Sequence, residues 1–135
     1  MFLLTPKGFL QVGGVVLILV GILGFIGVIG PGPEDSIFGS AWWFDNAENW
    51  AHLLLGIVGL AASFWLKEPM QRQLVLVLGV VGVLVAVYNL FSEGLGAANL
   101  ERPADLLLHL VVGLWALWAA KGKMLMNPPS QESKS

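Results

Sequence analysis

The chain reads as an all-α integral membrane protein: a four-helix bundle built from two tandem helical hairpins, with both termini in the cytoplasm. Three observations predict this. Of its 135 residues, 56% are hydrophobic and only 12% charged, the mean hydropathy is +0.78, and the apolar residues fall into four long runs, as in membrane-spanning chains. The cations are one-sided: Lys7, Lys67, Arg72, Lys121, Lys123 and Lys134 fall on one side of the four runs and only Arg102 on the other. By the positive-inside rule the first side is cytoplasmic, which leaves Glu34, Asp35, Asp45, Glu48, Glu93, Glu101 and Asp105 facing outward. Finally, the second half echoes the first. His109 repeats His52, and Gly79-Val80-Val81 repeats Gly14-Val15-Val16. Two hairpins of equal topology are related by a pseudo-two-fold axis along the membrane normal.

The first helix is expected over about 6–29, with Thr5 as N-cap and Pro6 at the first helical position, where a missing N–H costs nothing. Its length, about 33 Å, suffices for the hydrocarbon core. It reads as a retained helix rather than a cleaved signal, and Gly13, Gly14, Gly21 and Gly24 give it a close-packing face. Gly30-Pro31-Gly32-Pro33 breaks the helix, and Trp42, Trp43 and Phe44 are placed at headgroup level.

The second helix is expected over about 45–66. Asp45 and Glu48 form a capping box at its start and Pro69 follows its end. The third is expected over about 71–91. Ser92 to Gly96 forms a turn, and the fourth helix, about 103–121, opens on Pro103. Residues 1–126 form one domain, and the polar segment 127–135 reads as a disordered tail.

Several classes are excluded by composition. Without cysteine there is no disulfide framework, thiolate zinc site or iron–sulfur cluster. A formal charge of −2 offers no nucleic-acid footprint. No nucleophile–base pair, phosphate loop or Walker pattern marks an enzyme.

The residues that invite a site are the repeated ones. Glu48, His52 and Gly56 stand four apart, as do Asp105, His109 and Gly113, so each set stacks on one helix face. The face continues through Gly59 and Ser63 in one copy and Ala116 and Ala120 in the other. Both histidines are expected roughly 10 Å below the outer surface, at matching depth. Asn46, Asn49, Tyr88, Asn89, Asn99 and Arg102 gather at the same end, with Arg102 a candidate partner for Glu48 or Asp105.

Three roles follow. In the first, the polar cluster caps and registers the bundle, each acid accepting a hydrogen bond from the histidine one turn on, in a non-enzymatic accessory or scaffolding subunit of a larger membrane complex or homo-oligomer. In the second, His52 and His109 ligate haem or another tetrapyrrole, with Gly56 and Gly113 leaving room for the flat ring, or join Glu48 and Asp105 around a divalent metal. In the third, the acid–histidine chain moves a proton, an ion or a lipophilic small molecule, although the inner halves of the helices show no polar path.

The segments Asn49-Trp50-Ala51-His52-Leu53-Leu54-Leu55-Gly56 and Asp105-Leu106-Leu107-Leu108-His109-Leu110-Val111-Val112-Gly113, the second with Asn99 upstream, resemble a repeated pattern in small bacterial four-helix membrane proteins known as domain-of-unknown-function family 4383. The resemblance implies the four-helix fold and a bacterial inner-membrane location. It implies no activity. The chain departs from the pattern in its Pro/Gly and Trp-Trp loop and in Glu48.

Overall fold

The computed structural model describes residues 1–126, so the tail expected at 127–135, with Lys134, lies outside the described residues. Four α-helices make up the fold: α1 (Pro6–Phe25), α2 (Asn46–Trp65), α3 (Glu68–Asn89) and α4 (Ala104–Met126). A two-stranded hairpin, β1 (Gly94–Leu95) and β2 (Ala98–Asn99), lies between α3 and α4. Three of the helices, α1, α3 and α4 over Ala104–Gly122, are long and apolar enough to cross a membrane. The four long apolar runs of the sequence predict four such spans. The exception is α2, whose first two turns carry Asn46, Glu48, Asn49 and His52.

Local chemistry sets the helix ends. The Thr5 hydroxyl accepts from Gly8 N–H at 3.1 Å and donates to Phe2 C=O at 2.7 Å, so it caps α1 and holds a 3₁₀ turn, Phe2–Leu4, beneath it. Helix α1 stops at Phe25 rather than near Ile29, because Gly27 takes a left-handed backbone (φ +84°). Val28 and Ile29 N–H then both turn back to Leu23 C=O at 3.2 Å. The freed Ile29 C=O accepts from Phe44 N–H at 2.8 Å, which ties the long connection down. The capping box forms: Glu48 N–H donates to Asp45 Oδ1 at 2.9 Å, and Asp45 N–H to Glu48 Oε2 at 3.3 Å. Pro69 lies in the first turn of α3, which therefore begins at Glu68, almost directly after α2. Pro103 immediately precedes α4, and α4 runs past Lys121 to Met126.

Helix α1 packs along α2 and α3 along α4, each pair crossing where glycines remove the side chain. A Cβ at Gly56 would lie 2.7 Å from Gly14 O, and one at Gly14 only 3.0 Å from Gly56 O. A Cβ at Gly113 would lie 2.8 Å from Val83 N and 3.1 Å from Gly79 O. Backbones this close are the small-residue packing expected of helices in lipid.

The two pairs meet at the Lys-rich end. There Phe9, Leu10, Ala62, Val75, Ala116, Ala119 and Ala120 form the buried apolar cluster. Phe9 meets Trp115 edge to face at 4.6 Å, and Trp115 Nε1 donates to Leu3 C=O at 2.8 Å. Between the ends, the outward side chains of all four helices are large and apolar, among them Leu19, Ile57, Val58, Val77, Leu84 and Val111.

Candidate functional site

The acid-rich end collects the polar residues that the sequence singles out. Its frame is the start of α2, the start of α4 and the two connections that precede them. Asn49, Asn89 and Asp105 are 0%, 0% and 1% exposed and Glu48 is 5% exposed, so these groups are withdrawn from the surface and must find partners inside.

Most of those partners are loop backbone. Asp105 Oδ2 accepts from Glu101 N–H at 2.7 Å and its Oδ1 from Trp42 Nε1 at 3.1 Å. Asp45 Oδ2 accepts from Asn99 N–H at 2.6 Å. The carboxylate that starts each of α2 and α4 therefore reaches into the connection belonging to the other hairpin. The two amides close their own connections: Asn49 Nδ2 donates to Phe44 C=O at 3.5 Å, while Asn89 Nδ2 donates to Ser92 C=O at 2.9 Å and Leu100 C=O at 3.3 Å. Tyr88 is exposed, and its hydroxyl donates to Gly94 C=O at 2.8 Å. Asn46 is exposed.

The histidines behave differently from the expected acid–imidazole pairs. His109 Nδ1 lies 2.8 Å from Asp105 backbone O rather than from its carboxylate. The Glu48 carboxylate is drawn back to Asp45 N–H by the capping box, so it does not meet His52. The His52 ring packs edge to face on Phe44 at 4.9 Å, and its Nδ1 is buried without a hydrogen bond. His52 and His109 are nevertheless within electrostatic reach of each other.

The flat-ring slot expected beside Gly56 and Gly113 is filled. Gly14 and Ile18 occupy the space at Gly56, and Gly79 and Val83 the space at Gly113. Among the described residues no three His, Asp or Glu side chains are arranged to hold a metal ion, so His52, His109, Glu48 and Asp105 do not form one ligand set. Arg102 pairs with neither Glu48 nor Asp105. It donates to Glu93 Oε1 at 3.0 Å and to Leu90 C=O at 3.2 Å.

The carboxylates crowd together. Asp45, Glu101 and Asp105 all lie within electrostatic reach of Glu48. In the loop ahead of α4, burial and then the adjoining Asp105 push Glu101 up from 4.5 to about 8. Asn99 Nδ2 donates to Glu101 Oε1, and Glu101 Oε2 is buried without a partner.

No family model, curated protein or solved structure matches this chain. The site must therefore be read from its own chemistry. Trp42, placed at headgroup level by sequence, also donates its indole N–H to Asp105 Oδ1, and Asp45 and Glu101 join the cluster beside the repeated histidines. The capping box was the available signal for Asp45. Nothing in the spacing pointed to Trp42 or to Asn99 N–H.

Proposed function

We propose that the chain is a small integral protein of a bacterial inner membrane, with both termini cytoplasmic, serving without enzymatic activity as an accessory or scaffolding subunit. One observation carries this reading: polar groups are withdrawn into bonds at one end, while the surface between the ends is apolar on every helix. Helix α2 fits despite its polar start, because Glu48 and Asn49 face inward and Leu54, Leu55, Ile57, Val58 and Phe64 are exposed. The glycine crossings, Gly14 with Gly56 and Gly79 with Gly113, support two hairpins of like design about an axis along the membrane normal. The four-helix resemblance noted from sequence agrees and adds no activity.

The acid-rich cluster is then a clasp that fixes the outer faces of both hairpins as one rigid surface for a partner subunit or a second copy. The chain has no cysteine, so single-cysteine labelling tests the topology directly. A membrane-impermeant maleimide should label Ser36→Cys in intact spheroplasts and Lys67→Cys only after lysis; the reverse pattern would overturn the orientation. On a native gel in mild detergent, the protein should migrate in an assembly well above its 14.5 kDa mass. A monodisperse monomer in the same extract would remove the scaffolding role.

A second reading, a histidine-ligated cofactor, draws on one feature. The bond from His109 Nδ1 to Asp105 O leaves Nε2 as the metal-capable nitrogen. Stoichiometric metal lost in His109→Ala would establish it.

A further inference from the structure

We propose that Glu101 and Asp105 share a single proton, and that this proton is the catch holding the connection ahead of α2 against the connection ahead of α4. The inference deepens the clasp reading of the acid-rich end and rests on it.

The side chains of Glu101 and Asp105 are hydrogen-bonded to each other. An ionised carboxylate only accepts, so one of the two must carry a proton. Asp105 is 1% exposed, and both its oxygens are already acceptors: Oδ1 from Trp42 Nε1 and Oδ2 from Glu101 N–H. The donor between the two acids is therefore Glu101. Its Oε1 accepts from Asn99 Nδ2, while Oε2 is buried without a partner. A proton on Oε2 supplies the missing bond, and an O–H donated to a carboxylate is among the stronger hydrogen bonds a side chain makes.

The pair lies across the seam between the hairpins. Trp42 donates its indole N–H to Asp105, and the backbone N–H of Trp43 lies close to the Glu101 carboxyl. Both tryptophans belong to the first connection, both acids to the second hairpin. With the proton in place the pair carries one negative charge. Without it, two carboxylates face each other, with Glu48 of α2 in reach of both and Asp45 in reach of Glu48. The groups that could offset this are engaged elsewhere. Arg102 is paired with Glu93, His109 Nδ1 is taken by Asp105 backbone O, and His52 packs on Phe44. Burial and then Asp105 push Glu101 up from 4.5 to about 8. The catch is therefore set in a neutral or acidic medium and released in an alkaline one. The protein presents one rigid outer face below that value and two separable outer connections above it.

Ala41 and Ala97 are exposed, one on each connection, and the chain has no cysteine. Ala41→Cys with Ala97→Cys therefore takes a pair of spin labels, and double electron–electron resonance in detergent reads the distance between the connections. That distance should be short and narrow at about two units below pH 8, and longer and broader at about two units above it. Glu101→Gln gives Asp105 an N–H at every pH and should stay short throughout. Asp105→Asn leaves one acid in the pair and should remove the transition, which keeps the test open if Glu101→Gln fails to fold. Glu48→Gln preserves the capping box and should leave the transition in place, which assigns the proton to Glu101 rather than to Glu48. Infrared spectra at neutral pH should show a protonated carboxyl that Glu101→Gln deletes. A transition that survives Glu101→Gln, a transition removed by Glu48→Gln, or no carboxyl band lost in Glu101→Gln overturns the shared proton. Labels far apart at every pH would remove the clasp itself. Labels together at every pH would leave the clasp and remove only the catch.

Discussion

At the Lys-rich end the two hairpins meet through Phe9, Leu10, Val75, Trp115 and a run of alanines; at the acid-rich end they meet through Asp45 and Asp105. Apart from the bond from Trp115 Nε1 to Leu3 C=O, the first contact is dispersion between close-packed surfaces. The second is a pair of directional bonds from carboxylates to groups on the opposite connection. The difference teaches where each end is vulnerable. A packed end loses stability in proportion to the atoms removed, whereas a bonded end loses it at single atoms, because a buried group stripped of its partner keeps its full desolvation cost.

The sharpest way to break the contrast is Asp105→Ala, which strands Trp42 Nε1 and Glu101 N–H together. Stability to SDS-induced unfolding in micelles should fall by about 2–4 kcal/mol. Asp105→Asn, which keeps an acceptor, should recover part of that loss. Next is Gly56→Val at the crossing of α1 and α2, where the added atoms meet Gly14 O and Ile18 N. It should cost about 1–3 kcal/mol in the same assay. Gly59→Ala on the same face should be close to neutral, since its nearest neighbour is 3.8 Å away.

Smaller again is Gln71→Ala at the Lys-rich end. Gln71 Nε2 donates to the carbonyls of Ser63 and Leu66 at 3.0 Å and of Ala62 at 3.4 Å, closing the last turn of α2. The Ala62 carbonyl keeps its bond from Leu66 N–H, so the loss should be about 1–2 kcal/mol.

The subtlest difference is in pH dependence. Glu101 holds its proton more tightly folded than unfolded, since its value rises from 4.5 to about 8. Its contribution is therefore complete below about 4.5 and is lost as pH climbs through about 8. The midpoint of thermal unfolding in detergent should fall over that window, and Glu101→Gln should flatten the slope. A midpoint rising with pH in the wild-type chain would contradict the burial of this carboxyl.

What could be read from the sequence was what repeats or punctuates. Helix starts were legible at Thr5-Pro6 and at the Asp45–Glu48 box because capping has a local signature. The glycine crossings were legible as a helical stripe, although their occupant is a neighbouring helix and not a ring. The end of α1 was missed: Gly27 looks like another packing glycine until its backbone turns left-handed. The bonds of Asp45 to Asn99 N–H and of Asp105 to Trp42 were not legible at all. They join residues far apart in the chain, one through a backbone group that every residue possesses, so neither periodicity nor residue type announces them.

The 3₁₀ turn at Phe2–Leu4 is docked against the far end of α4, with Leu3 C=O taken by Trp115 and Leu4 backbone lying where a side chain at Gly122 would stand. Leu3 and Trp115 stand 112 positions apart in the chain. This latch therefore joins the lead of the first hairpin directly to the second, and it can close only when α4 is already in place against α3.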